Sequence, residues 1–379
     1  MSRDELSVLQ VNKLYYPWIG GVEKVVQNIA EGLKEKVDLE VLACQPKGLG
    51  ERGEIRGVDV TKASSLGRFL GLPASPTFPL LYARRSRQAD LLHFHVPFPL
   101  GVLSYLAFGP REKKVVVTYH SDIVRQEKLL RFYQPFLMKF LERADAILPT
   151  SPHLRDGSRF LAPFRDKCQV VPLSIDLEEF SEGAADRNDP PAAAGEEGVV
   201  LFVGRLNYYK GVEYLIRAME EVEARLLIAG EGPLLEQLNR QAITSGVTEK
   251  VTFLGRVTDE RLKGLYADCD MLVLPSVRES EAFGIVQMEA MAYGKPVINT
   301  DLPTGVPWVS KDGQTGLTVP PADPKALASA INRLLENEEL REKLGRNAHE
   351  RVKRKFSRSG MLRTVESLYR ELASDKGGR

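Results

Sequence analysis

Residues Pro275–Pro296 read PSVRESEAFGIVQMEAMAYGKP. The apolar run Met271–Pro275 leading into this stretch has the length and composition of a buried strand. A polar loop follows, a helical pattern opens near Gly284, and Gly294 and Pro296 supply its stop signals. The next apolar run, Pro296–Asn299, reads as another strand. A strand, a loop, a helix and a second strand in that order describe the crossover unit of a parallel sheet.

The same alternation extends in both directions. Strand patterns occupy Val199–Gly204, Arg225–Ala229, Val251–Leu254 and Gly316–Val319. Helical patterns fill Gly211–Val222, Pro233–Thr244, Asp259–Ala267, Gly284–Tyr293, Pro324–Glu336 and Glu338–Lys355. Upstream, Ser181–Gly198 (SEGAADRNDPPAAAGEEG) has no periodicity and marks a linker or long excursion. Before it, strands are expected at Leu6–Asn12, Leu39–Ala43, Asp90–His95, Val115–Tyr119, Ala146–Pro149 and Gln169–Val171, with helices at Val22–Glu35 and Val124–Arg143. At 379 residues the chain is about twice the usual domain size. The pattern predicts two doubly wound α/β domains in tandem, with ligands at the carboxyl ends of strands facing a cleft.

Apolar residues make up 43% and charged residues 27%, which excludes a disordered chain, and no apolar run approaches the ~20 residues of a spanning helix. Met1–Glu5 contains two acids and leads directly into a strand pattern, so a secretory signal is not expected and a cytoplasmic location is. Cys44, Cys168 and Cys269 are widely spaced and read as buried small apolar residues rather than a disulfide framework. The net charge of +1 conceals +7 over residues 1–175, −11 over 176–349 and +5 over 350–379. A basic lobe is either a solvated face or a surface for an anionic partner or membrane. The segment Ile123–Arg143 mixes Leu129, Leu130, Phe132, Tyr133, Phe136 and Leu137 with Arg125, Lys128, Arg131 and Lys139, as a helix packed on a sheet or lying at a membrane surface does.

Two loops carry chemistry. The helix start near Gly284 leaves the N–H groups of Phe283, Gly284, Ile285 and Val286 without helical acceptors, the requirement of an anion site, and Gly284 lets a ligand approach the backbone. Glu281 and Glu289 flank that helix start with seven residues between them, suited to a sugar on one side and a ribose on the other, or else to capping and solvation. In Phe202–Gly211 (FVGRLNYYKG), a strand runs into Gly204 and a loop bearing Arg205 and Lys210, a fork and a point charge for a diphosphate. Asp268 and Asp270 imitate a metal-binding Asp-x-Asp pair, but they sit at a helix-to-strand junction, where aspartates cap and solvate. His93 and His95 share one strand face with no third ligand in sight, so no metal is expected there. His120, at a strand end, suits a binding site or a satisfied core position; Asp122 either orients an acceptor hydroxyl or caps the following helix.

The strand–GRL–x3–KG loop, the GEGP turn at Gly230–Pro233, the turn at Gly255–Val257 and the run ESEAFGIVQMEAMAYGKPV resemble retaining glycosyltransferases of family 4, with the GT-B fold. The resemblance spans nearly the whole chain, including the amino-terminal GGVE loop. It implies two Rossmann-like domains facing across a cleft, an acceptor domain 1–178 completed by a carboxyl-terminal helix 357–379, and a donor domain 179–356. It also implies that Arg205 and Lys210 neutralise the donor diphosphate and that Glu281 contacts donor-sugar hydroxyls. The amides of Ala282 to Ile285 would close on sugar and phosphate, Glu289 would hold the ribose, and Gly255, Arg256 and Val257 would lie along the base. Gly20 and Gly21 would let donor phosphate and acceptor approach the backbone, and His120 would sit near the anomeric carbon. The run Glu281–Ser310 is most similar to bacterial mannosyl- and rhamnosyltransferases of O-antigen and capsule assembly. GDP-mannose is therefore the first expectation for the donor and a UDP-hexose the second, with a saccharide acceptor, lipid-linked at an anionic membrane, and no cofactor, metal or nucleic acid. An idle nucleotide-sugar binding protein and a sugar-nucleotide epimerase are the competing readings; intact Arg205, Lys210 and Glu281 argue against the first, and no acid/base pair around a sugar ring is apparent for the second.

Overall fold

The computed structural model of the chain describes residues 6–18, 20–69, 71–122, 127–181 and 198–375. Met1–Glu5, most of the linker Ser181–Gly198, the start of the helix expected from Ile123, and the side chains of Arg125, Lys128, Leu129 and Leu130 lie outside the described residues. Two compact units form, Met1–Leu173 with Ser359–Arg379, and Ser174–Arg358. The crossings between units fall at 173/174 and 358/359, against an expected 178/179 and 356/357. Around them, Ile175 pairs with Ser357, and Arg358 bonds Asp176 at 2.8 Å, so both crossing strands are tied into the second unit.

In the first unit, β1 (Ser7–Val11), β2 (Asp38–Cys44), β3 (Glu51–Ile55), β4 (Val58–Ala63), β7 (Leu91–Val96), β8 (Lys114–Tyr119) and β9 (Ala146–Pro149) make one sheet in the order β3-β4-β2-β1-β7-β8-β9. The short strands β5 (Arg68–Phe69) and β6 (Leu72–Pro73) pair as a separate ribbon. All pairs of the large sheet are parallel except β3 with β4. That antiparallel hairpin was not expected. ERGEI on β3 is exposed at four of five positions and carries no apolar alternation, and Arg56 and Gly57, both with positive φ, form the two-residue turn that a hairpin requires. Residues Gln169–Val171 do not form the expected strand: Gln169 and Val171 donate to Ile147 and Pro149 of β9, but pairing is limited to one bridge at Cys168. The expected helix Val124–Arg143 is described over Glu127–Arg143.

The second unit holds β10 (Gly198–Val203), β11 (Ala224–Ala229), β12 (Val251–Gly255), β13 (Met271–Leu274), β14 (Val297–Thr300) and β15 (Gly316–Val319), all parallel, in the order β12-β11-β10-β13-β14-β15. Val200, Phe202, Leu226 and Ile228 from the strands meet Leu215, Ile216, Leu327, Ile331 and Leu334 from the covering helices in one core. Each such side chain contributes roughly 1.5–3 kcal/mol when fully buried. The expected helix Gly211–Val222 is shorter, Val212–Ala218, and tightens into a 3₁₀ turn at Met219–Glu221.

The helix Arg358–Ser374 packs on the first unit: Tyr369 is buried against His93, Leu362 covers Gly32, and Glu366 pairs with Lys36 at 2.5 Å. The strongly basic end of the preceding helix, Glu338–Lys355, stays in the second unit. The charge split by structural unit is therefore +8 against −7, smaller than the split by sequence segment.

Candidate active site

Strand order in the second sheet reverses at its centre. From β10 the chain crosses outward to β11, whereas from β13 it crosses the other way to β14, so the loops after β10 and β13 diverge and open a crevice at their carboxyl ends. These are the loops that the sequence marks. Lys210, ending the first, meets Glu281, near the end of the second, with Nζ 2.6 Å from Oε2, each side chain about 10% exposed. The Ser276 hydroxyl donates to the same carboxylate oxygen at 3.0 Å. Burial alone would lower the Lys210 pKa, but the charge and hydrogen bond of Glu281 outweigh it and hold the ammonium above its ordinary value. Tyr209 O accepts from Val277 N–H at 2.8 Å and locks the two loops together. Arg205 lies exposed on the first loop.

Two glycines set the backbone here. Gly230 follows β11 with φ 151°, and a Cβ on it would collide with the Gly204 carbonyl; Leu206 N–H, in turn, donates to Glu231 O at 2.9 Å. The GRL loop and the GEGP turn thus meet through bare backbone. Gly284 caps the helix Ile285–Ala292 with φ 72° and ψ 69°, and a Cβ there would lie 2.6 Å from Leu274 Cδ2. The left-handed cap and the packing against β13 themselves require glycine at 284.

A buried amide network lies beside the backbone of Phe283, Gly284, Ile285 and Val286. Gln287 donates to Phe283 O and Val306 O, while Asn299 on β14 donates to Gln287 Oε1, Val306 O and Ser310 O at 2.9–3.1 Å. The Phe283 ring packs edge-on against Trp308 and Phe356, with centroids 6.1 and 6.0 Å away. Ala282 O accepts from Gly305 N–H. Further along the helix, Glu289 Oε2 accepts from the buried Tyr266 hydroxyl at 2.6 Å, and Gly255 O accepts from Gly230 N–H at 2.8 Å. Arg256 is exposed and Val257 half-buried beside that glycine. Sequence reading missed Ser276, Gln287, Asn299 and Tyr266, because their function is to hold other groups and no spacing announces it.

In the first unit the order reverses between β1 and β7. His120, just past β8, is 6% exposed, and its Nε2 lies 3.1 Å from His95 Nδ1 on β7. Burial, then the nearby Lys13 charge and His93, lower its pKa to about 3, so it is a neutral imidazole at any physiological pH. His93 bonds Tyr369 and Thr118 at 2.5 and 2.7 Å, and burial holds it at about 3 as well; both β7 histidines are core groups. Gly20 precedes the helix Gly21–Leu33, and the space a Cβ would take there is filled by the Glu23 carboxylate, 3.8 Å from Lys13 Nζ. Gly20 thus makes room for Glu23, and Gly21 is exposed at the helix start. Asp122 Oδ1 accepts from Tyr119 and Ser158 hydroxyls at 2.9 and 2.7 Å. The helix it was expected to cap begins outside the described residues.

Asp270 accepts from Val199 N–H at 2.8 Å and lies 3.5 Å from Arg341, stitching β10 to β13 and to the helix Glu338–Lys355. Burial raises the thiols of Cys44 and Cys269 to about 12, and that of Cys168 to about 11. Cys168 is only half-buried, a departure from the expectation for all three.

This arrangement has known counterparts. Residues 19–179 match the family described as Glycosyltransferase Family 4, and residues 186–351 that described as Glycosyl transferases group 1. The chain is 32% identical over 380 residues to O-antigen chain mannosyltransferase C of Escherichia coli, covering 98% of this chain and all of that one. It is 37% identical over 288 residues to D-rhamnosyltransferase WbpZ of Pseudomonas aeruginosa, 75% of each chain. Among solved structures, Anabaena HepE in complex with UDP superposes with a TM-score of 0.79 at 19% identity, over 97% of this chain and all of that one. With two Rossmann-like sheets, a family match to each half and a relative 32% identical over nearly the whole chain, the chain belongs to the family 4 glycosyltransferases of GT-B fold.

Proposed function

We propose that the protein is a retaining, metal-independent hexosyltransferase that moves mannose from GDP-mannose to a saccharide hydroxyl of a lipid-linked glycan in cell-surface polysaccharide assembly. The buried Lys210–Glu281 pair at the reversal of the second sheet carries this reading, since it holds a cation and a hydroxyl-binding carboxylate side by side. Lys210 and Arg205 meet the diphosphate, with the amides of Ala282, Phe283, Gly284, Ile285 and Val286 as further donors. Glu281 orients the transferred sugar, Glu289 holds the ribose, and Gly255–Val257 flanks the base. His120, neutral, offers a hydrogen bond near the anomeric carbon, and Asp122 orients the acceptor. The bond from the anomeric carbon to the phosphate oxygen breaks as the acceptor oxygen bonds to the same face, and the hydroxyl proton passes to the departing phosphate. Mannose is favoured by the similarity to the Escherichia coli mannosyltransferase. A UDP-hexose is the second reading, favoured by the likeness in fold to a UDP-bound structure.

The reading places the protein in the cytoplasm at the inner face of the membrane. No helix among the described residues is long and apolar enough to cross a membrane. On the helix Glu127–Arg143, Tyr133 and Leu137 face the core while Phe132 and Phe136 stay exposed, at 79% and 47%, with Arg131 and Lys139 exposed beside them.

Thermal stabilisation by GDP, UDP, ADP and dTDP tests the donor, because a ligand at 100 times its Kd adds about 2.7 kcal/mol. GDP should stabilise most, and GDP-mannose with a saccharide acceptor should yield an α-linked product. Stabilisation by UDP alone would replace GDP-mannose with the second reading, and an epimerised donor would replace transfer altogether.

A further inference from the structure

Three histidine rings neighbour one another in the first unit. His93 and His95 lie two apart on β7 with ring centroids separated by 4.5 Å, and His120, just past β8, has its ring 5.4 Å from that of His95. His93 is bonded at both nitrogens, to the Tyr369 hydroxyl at 2.5 Å and the Thr118 hydroxyl at 2.7 Å. His95 is bonded at one. Its Nδ1 meets His120 Nε2 at 3.1 Å, while its Nε2 is sealed from water with no hydrogen-bond partner among the described residues. The other nitrogen of His120, Nδ1, bonds no described residue and is not sealed in that way.

Burial keeps both rings neutral, so a single hydrogen occupies the His95–His120 contact, and either ring can supply it. If His120 Nε2 donated, His95 would carry its own hydrogen on Nε2, a buried N–H with no acceptor. If His95 Nδ1 donates, the atom left over is only a bare lone pair. Buried N–H groups without an acceptor are the rarer of these two defects, which selects the second arrangement.

We propose that His95 is a positioning residue that fixes His120 as its Nδ1–H tautomer, so that this imidazole offers its site a hydrogen-bond donor and not a base. The bond made at one imidazole nitrogen decides what the other nitrogen presents. His120 held in this form donates to an oxygen that reaches Nδ1 and takes no proton there. The inference rests on the transferase reading above and deepens it: His120 donates to a sugar or acceptor oxygen, and the acceptor's proton leaves by the departing phosphate. Tyr369, on the helix Arg358–Ser374, fixes the His93 ring against which His95 lies, and so acts on His120 through two imidazoles.

Histidine labelled with nitrogen-15 in the full chain tests this without any substrate, since five histidines are few enough to assign by substitution. In long-range proton–nitrogen spectra Nε2 is the ring nitrogen coupled to both carbon-bound hydrogens. For His120 it should resonate as a bare nitrogen, with Nδ1 protonated. His95→Phe keeps a ring in place and removes the donor, so His120 should move toward the Nε2–H form that an unconstrained imidazole prefers. His95→Asn, whose Nδ2 can stand where Nδ1 stood, should restore the Nδ1–H form. With GDP-mannose and a saccharide acceptor, His95→Phe should lose at least about tenfold in kcat while the donor KM changes less than about threefold, and His95→Asn should recover most of the loss. The proposal is overturned if His120 in wild type carries its hydrogen on Nε2, if its tautomer is unchanged by His95→Phe, or if the two variants of an active enzyme turn over alike. Should His95→Phe fail to fold, the wild-type spectrum decides. No turnover in wild type beside a protonated Nδ1 refutes the transferase reading alone.

Discussion

Replacing Lys210 by Met separates what the buried pair does for stability from what it does for the reaction. Lys210 and Glu281 touch at 2.6 Å with little exposure on either side, so the substitution leaves a carboxylate buried with the Ser276 hydroxyl as its remaining donor. Stripping one partner from a buried ion pair costs about 3–5 kcal/mol; the surviving hydrogen bond to a charged group, worth about 1.5–3 kcal/mol, places the expectation at the low end, near 3 kcal/mol. Glu281→Gln in the Met variant removes the orphaned charge, so the double variant should recover about 1–2 kcal/mol relative to additivity. Urea unfolding of the full chain, followed by a probe in the second unit, measures the cycle. The pH dependence has a definite sign. Because the folded Lys210 pKa is raised, the pair's contribution is complete below the unfolded value of about 10.4 and fades as pH rises through the higher folded value, a loss the Met variant should lack. In kinetics, both Lys210→Met and Arg205→Ala should lower kcat/KM at least ~100-fold, whereas exposed Arg205 should change stability by less than about 0.5 kcal/mol. Lys210→Met within about 1 kcal/mol of wild type, or single costs that simply add, would refute the buried-pair argument; near-normal turnover in both variants would refute the diphosphate assignment.

Acidification should unfold the first unit early. His93 and His120 are held neutral to about pH 3, so the unfolded chain binds more protons below about pH 6.5 and stability falls with pH, by on the order of 2 kcal/mol per histidine between pH 6.5 and 5; His93→Gln should flatten that slope in thermal melts. Gly230→Ala, which drives a Cβ into the Gly204 carbonyl, should cost more than about 3 kcal/mol and abolish nucleotide-induced stabilisation, while Gly246→Ala, at φ 67° in the ordinary left-handed well with open space around it, should cost about 1 kcal/mol. Activity should survive excess EDTA; Asp270→Asn should lower the melting temperature by loosening Val199 and Arg341 yet leave turnover measurable, and rescue of chelated enzyme by manganese would overturn this. Charge reversal at exposed Arg131 and Lys139 should weaken sedimentation with anionic vesicles at low salt and leave nucleotide binding intact.

Regular alternation of apolar runs and amphipathic stretches, each spanning only a few turns or residues, makes most of the parallel strands of both sheets legible in the sequence. Ala146–Pro149, Gly316–Val319, Pro324–Glu336 and Glu338–Lys355 carry sharp punctuation and form with the boundaries their sequence suggests. Strand β3 of the hairpin was not legible, because an edge strand buries too little to need an apolar pattern. Local chemistry likewise marked Arg205, Lys210, Glu281 and the Gly284 helix start, since cations and carboxylates at strand ends stand out against their neighbours. Their relations were not local. That Lys210 spends its charge on Glu281, 71 positions away, follows only from the reversal of strand order between β10 and β13. That the space over Gly20 belongs to Glu23, and that His120 is uncharged, depend on which groups surround each atom and how much water reaches it. Sequence determined the elements and the polar groups at their ends, because helix and strand periods act over a few residues; the tertiary structure decided which charges meet and which are dry, because burial and long-range pairing arise only when the sheets assemble.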